Sequence, residues 1–133
     1  MRPNTLAEAV ERIRMGTSQD VALAEFVDAF DLARTTEARY ATIAEEPALT
    51  YDKRLDALVG AIAEYLAKQR KLGRVPPWVG ESARYLDQPW HTCSPANAAM
   101  REYLTFSSPG EFASRNIFTE ERPLRRARGL QST

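Results

Sequence analysis

The strongest constraint in this chain is a helical repeat over Tyr51–Leu72. Tyr51, Leu55, Leu58, Val59, Ile62, Tyr65 and Leu66 recur at spacings of three and four, so they share one face of a helix. Lys53, Asp56, Glu64, Lys68 and Arg70 lie largely off that face. Thr50 is placed as an N-cap, basic residues fill the last turns where the macrodipole favours them, and Gly73 supplies a stop. Burying five aliphatic side chains on this face contributes on the order of 10 kcal/mol before entropy is counted. The expectation is a central core helix around which the rest packs.

The segments before it read the same way. Leu6, Ala9, Val10 and Ile13 predict a helix over Thr5–Met15, capped by Asn4 or Thr5 and closed by Gly16. Thr17-Ser18 opens a second helix over about Gln19–Arg34, with Leu23, Phe26, Val27 and Phe30 as its stripe and Glu25, Asp28 and Asp31 on an acidic outer edge. A third runs from Thr35-Thr36 to about Glu45 and ends at Glu46-Pro47, because the residue before a proline is pushed out of the α region.

Beyond the central helix the pattern becomes irregular. Val75-Pro76-Pro77-Trp78 is a rigid corner, Glu81–Leu86 reads as one or two helical turns with Tyr85 and Leu86 inward, and Gln88-Pro89-Trp90 turns the chain again. Ser94-Pro95 starts a helix to about Phe106. Ser108-Pro109-Gly110-Glu111 has the form of a capping box for a short helix carrying Phe112 and Ala113. Asn116-Ile117-Phe118 is extended, and Thr119 caps a last short helix. No run of alternating polarity marks a strand. The expected fold is all-α, one compact domain over 1–128 of about five to seven helices, with an irregular aromatic segment at 73–93 and a frayed tail at 129–133.

Charge is balanced overall, with 18 basic and 18 acidic residues, but unevenly distributed. Residues 1–66 hold 7 basic and 12 acidic side chains, a net of −5, and residues 67–133 hold 11 and 6, a net of +5. An acidic N-terminal half (1–72) thus precedes a basic C-terminal half (73–128), which either attract each other or present the basic half to an acidic partner. The single cysteine excludes an intrachain disulfide and fits a reducing cytoplasm. The absence of a signal-like or membrane-length apolar run gives the same expectation: a cytoplasmic protein with no membrane partner.

Chemistry is sparse. His91 and Cys93 are the only base and nucleophile side by side, and in an extended segment they point the same way. Nothing in the sequence places an orienting group or an oxyanion hole for them, and one His with one Cys does not make a structural zinc site. Asp28/Asp31 and Asp52/Asp56 sit at helical spacing on polar edges, where carboxylates keep ordinary behaviour. The expectation is no enzyme, no metal and no cofactor. The turn at Met15-Gly16-Thr17 imitates a helix-turn-helix, but the following helix is acidic and apolar, unsuited to a major groove. Arg122, Arg125, Arg126 and Arg128 form the best nucleic-acid candidate. The aromatic stretch Trp78–Phe118 has two readings. Its rings wrap the central helix, or Trp78, Trp90, Arg115, Asn116, Ile117 and Phe118 make a partner-binding patch of hot-spot residue types.

The segments EPALTYDKRLDALVGAIAEYLA (46–67), PPWV (76–79), ARYLDQPW (83–90) and SSPGEFASRNIF (107–118), followed by a basic helix, resemble a family of small, mostly uncharacterised helical proteins common in actinobacteria. The resemblance runs from Leu6 to about Ala127, and Pro89-Trp90 and Ser108–Phe118 are its most specific pieces. Members are associated with genes for nucleotidyltransferase-like proteins in arrangements reminiscent of toxin–antitoxin pairs. The resemblance implies a non-catalytic interaction module, the antitoxin or companion subunit of a nucleotidyltransferase-like toxin, with no catalytic residues to transfer. Family members often have an aromatic after Pro-Trp; His91 stands there in this chain, which argues against a catalytic role for it.

Overall fold

The computed structural model describes residues 4–50, 52–92 and 108–119. Among these the fold is mainly helical. Helix α1 (Leu6–Arg14) is capped by Thr5, whose Oγ1 accepts from the Glu8 amide at 3.1 Å. It ends in a Schellman turn: Thr17 N donates to Arg12 O at 2.9 Å and Gly16 N to Ile13 O at 3.0 Å, with Gly16 at φ +113°. Helix α2 (Gln19–Leu32) follows at once, and α3 (Thr36–Ala44) starts on Thr35, whose Oγ1 accepts from Ala38 N at 3.0 Å. Helices α1, α2 and α3 pack on one another. Successive residues Ala22, Leu23 and Ala24 of α2 are all buried, so this helix is covered on more than one side. Asp28, expected on an acidic outer edge, is 1% exposed.

Helix α4 (Lys53–Gln69) is the long helix expected. Its cap is Asp52 rather than Thr50: the carboxylate accepts from Arg54 N and Leu55 N at 2.9 and 3.3 Å. Thr50 instead donates from its amide and its hydroxyl to the Asp56 carboxylate, both at 2.9 Å. Asp56 is therefore buried and hydrogen-bonded, not solvated on a polar edge. The middle of α4 is enclosed all round, since Val59 through Ala63 are all buried.

The end of α4 corrects a second expectation. Leu72 N donates to Ala67 O at 3.0 Å and Lys71 N to Lys68 O at 3.2 Å, another Schellman turn. The left-handed position in it belongs to Lys71 at φ +52°, not to Gly73. Leu72 is buried directly after, so the turn drives an apolar side chain inward while Lys71 stays in solvent.

Two 3-10 turns, Pro77–Gly80 and Ser82–Arg84, then run along α4. They are followed by strand β1 (Trp90–His91), short helix α5 (Gly110–Ala113) and strand β2 (Ile117–Phe118). The two strands pair in parallel, Trp90 opposite Ile117 and His91 opposite Phe118. A two-residue ladder is too short to leave an alternation in the sequence, which is why no strand is expected there. One apolar cluster draws Leu6 and Val10 from α1, Phe26 and Phe30 from α2, Ile43 from α3, Ile62 and Leu66 from α4, Trp78, Phe112 and Ile117. No helix among the described residues is long and apolar enough to cross a membrane. The expected helix at 94–106 and the expected helix after Thr119 lie outside the described residues.

A β-carbon in the left-handed region costs about 1 kcal/mol. Lys71 is exposed, and its side chain makes no hydrogen bond or ion pair among the described residues to offset that strain. Lys71→Gly is expected to stabilise the protein by about 0.5–1 kcal/mol, read as a higher urea midpoint at unchanged slope.

Candidate functional site

The aromatic stretch is organised by two arginines that the fold places inside, Arg84 and Arg115, the second of them expected in the partner-binding patch. Arg84 and Arg115 are both 0% exposed. Arg84 closes the second 3-10 turn. Its guanidinium donates to Pro47 O at 2.7 Å and Asp56 O at 3.4 Å, reaches the Glu46 carboxylate at 3.4 Å, and lies 4.9 Å from the centre of the Trp78 ring. Arg115 follows α5. It donates to the Glu64 carboxylate at 2.6 Å, to Glu111 O at 2.8 Å and to Val79 O at 2.7 Å, and it lies 4.5 Å from the Tyr85 ring. Each buried cation is thus met by one carboxylate, two backbone carbonyls and one aromatic face, which is what a buried charge needs to be tolerated.

Both side chains cross α4 at Gly60. A β-carbon there would stand 2.9 Å from Arg84 Cβ and 3.4 Å from Arg115 Nε. Tyr85, expected inward, is 39% exposed and covers Arg115 from outside, because the 3-10 geometry turns Arg84 toward α4 instead.

The segment 108–119 forms a closed loop held on this base. Ser108, expected as a helix cap, instead ties the loop ends together: its hydroxyl accepts from Thr119 N at 2.7 Å and donates to Thr119 O at 2.9 Å. Pro109 takes the N-cap position of α5. Asn116 adopts φ +65°, a conformation asparagine tolerates better than most residues. Its side-chain amide donates to Leu86 O at 2.8 Å and its carbonyl accepts from Trp90 N at 2.8 Å.

The expected partner-binding set therefore divides. Trp78 is buried, with Nε1 donating to Ile43 O at 3.0 Å, and Arg115 and Ile117 are internal. These three hold the fold, and the expectation of an accessible Arg115–Phe118 tip is corrected accordingly. Trp90, Asn116 and Phe118 are half-buried and keep a face toward solvent. Arg54 lies 5.3 Å from the Trp90 ring, and His91 packs on Phe118 at 5.3 Å. His91 Nε2 is buried without a hydrogen-bond partner. Cys93 and Arg122, Arg125, Arg126 and Arg128 lie outside the described residues. Among the described residues no group of three or more His, Cys, Asp or Glu is placed to hold a metal.

The electrostatics of the site centre on Glu64. Burial pushes its carboxyl upward, but hydrogen bonds and charge from Arg115 and Lys68 outweigh burial and hold it below the ordinary value of 4.5. Lys68 is raised in turn by its hydrogen bond to Glu64, 3.0 Å away. At the Arg84 end, a hydrogen bond with Glu46 raises Glu81. The arrangement is a packing centre in which each buried guanidinium meets a carboxylate.

No family model, curated protein or solved structure matches the chain.

Two outcomes follow from this geometry. Alanine is intrinsically better than glycine in a helix by about 1 kcal/mol, yet Gly60→Ala is expected to destabilise by about 2 kcal/mol. The obstructing atom is Arg84 Cβ, which is fixed to the backbone and has no freedom to swing away. Thermal or urea unfolding reads the sign. Because the folded pKa of Glu64 lies below its unfolded value, its contribution is whole at neutral pH. That contribution falls as pH drops below about 4.5 and is lost once the folded pKa is passed. Glu64→Gln is expected to lower stability at pH 7 by about 2 kcal/mol and to flatten the acid limb of the stability–pH curve.

Proposed function

We propose that this chain is a non-catalytic protein-interaction module, the antitoxin or companion subunit of a nucleotidyltransferase-like toxin. The observation that carries the reading is an inversion of the usual segregation. Arg84, Arg115, Asp28 and Asp56 are inside, while Met15, Val21, Leu32 and Leu49 stand out in solvent. Isolated exposed aliphatics are ordinary, but Met15 at 87% and Val21 at 48% exposure flank one turn, between α1 and α2. A Met–Val pair beside a Schellman corner offers an apolar anchor whose unbranched Met side chain adapts its shape to a partner. Phe118 and His91, paired across the β1–β2 ladder with ring centres 5.3 Å apart, offer a second, ring-bearing surface. The partner class comes from the family resemblance, and the anchor surface comes from the exposed residues.

Coexpression with a nucleotidyltransferase-like protein encoded beside it is expected to yield a heterocomplex by size exclusion with light scattering. Met15→Asp combined with Val21→Asp is expected to weaken that complex at least about tenfold, or about 1.4 kcal/mol, with an unchanged unfolding midpoint. Separate elution of the two wild-type chains rejects the reading.

A further inference from the structure

The corner where α2 ends, α3 begins and α4 ends collects five cations that the sequence scatters over 41 positions, Arg34 to Arg74. A chain of contacts ties them together. Arg70 pairs with Asp31, one turn before Arg34. Arg39 of α3 donates to Asp31 O at 3.4 Å. Its neighbour Tyr40 carries the Arg74 guanidinium, 3.9 Å from the ring centre. Lys71 follows Arg70 in the left-handed turn. The carboxylates belonging to these same stretches are Asp31 and Glu37, so the corner carries an excess of positive charge. Lys68 is already engaged by Glu64 and Glu111 at 3.0 and 3.7 Å and does not belong to it.

Helix C-termini attract cations, which accounts for Arg70. It does not account for Arg34 and Arg74, which lie beyond the ends of α2 and α4. Arg34, Lys71 and Arg74 are exposed, and none has a carboxylate partner among the described residues.

We propose that this corner is a binding surface for single-stranded nucleic acid. Four of the five cations are arginines. The Arg74 guanidinium lies over the Tyr40 ring, 3.9 Å from its centre, and Arg39 lies 5.9 Å from the Phe30 ring, so aromatic contacts restrict where these two cations sit before any ligand arrives. A stacked guanidinium presents one face to an unstacked base and its edge N–H groups to phosphate, a match that an acidic polypeptide does not need. The surface is separate from the Met15–Val21 corner and does not depend on the protein-interaction reading.

The test uses the full chain and a fluorescein-labelled oligouridylate of about 20 nucleotides, with anisotropy read from about 50 to 200 mM KCl. The neutral triple variant Arg34→Gln, Lys71→Gln, Arg74→Gln is expected to lose at least about tenfold in affinity at low salt. Its slope of log affinity against log salt is expected to fall by about 2, since each single-strand phosphate contact contributes about 0.7. Lys53→Gln, at the opposite end of α4, is expected to bind within about 1.5-fold of wild type. Circular dichroism confirms that each variant is folded, and the single variant Arg74→Gln, expected to lose about threefold, replaces the triple if that one is not. Absence of wild-type binding at low salt overturns the proposal. So does wild-type affinity in the folded neutral variant. Displacement of the oligonucleotide by polyglutamate as effective as that by unlabelled oligouridylate at equal charge also overturns it, in favour of an acidic polypeptide.

Discussion

The described structure depends on one crossing point. At Gly60 the backbone of α4 is bare, and two buried arginines from separate parts of the chain lie against it. A lone buried guanidinium costs several kcal/mol, so each arginine obliges the surrounding chain to supply partners. Arg84 draws in Pro47, Glu46 and Trp78; Arg115 draws in Glu64, Val79, Glu111 and Tyr85. The α3–α4 connection, both 3-10 turns and the 108–119 loop are thereby fastened to one helix by groups that tolerate no loose alternative. Hydrophobic burial supplies the bulk of the stability, while the arginines set which segment lies where.

That division of labour accounts for where several of the chain's rarer side chains sit. Trp78 serves as a lid on one guanidinium and bonds α3 through Ile43, and Asn116 supplies a left-handed turn, a hydrogen bond donated to Leu86 O and one accepted from Trp90 N of the strand. The perturbed groups answer their neighbours in this centre: Arg115 and Lys68 lower Glu64 against its burial, Glu64 raises Lys68, and Glu46 raises Glu81. Perturbation of this kind marks a packing centre as readily as an active site. The two surfaces proposed for binding, the apolar corner between α1 and α2 and the cationic corner at the ends of α2 and α4, use none of the side chains of this centre.

Much of the helical part was legible in the sequence. The repeat in Tyr51–Leu72, the Thr5 and Thr35 caps, the Gly16 turn and the stop before Pro47 are local devices, and each appears close to where the residues indicate. The site was legible only in fragments. Glycine inside an otherwise strong helix costs about 1 kcal/mol against alanine, so Gly60 was itself a signal of close approach by another segment. Arg84 and Arg115 gave no such signal, because a charged residue in an irregular stretch ordinarily sits in water. Asp56 and Asp28 misled for the same reason: helical spacing shows which face a residue occupies, not whether another element covers that face.

By itself, then, the sequence determined the positions of the first four helices, the Thr5 and Thr35 caps and the identity of the central helix, since these arise from interactions within a few residues along the chain. Only the tertiary structure decided that Trp78, Arg115 and Ile117 are internal, that Ser108 closes a loop instead of capping a helix, and that Trp90–His91 pairs with Ile117–Phe118. Each of those outcomes rests on partners 11 to 51 residues away in the chain. Whether a polar group is buried depends on whether such a distant partner arrives to satisfy it, and no local pattern of residue types encodes that arrival.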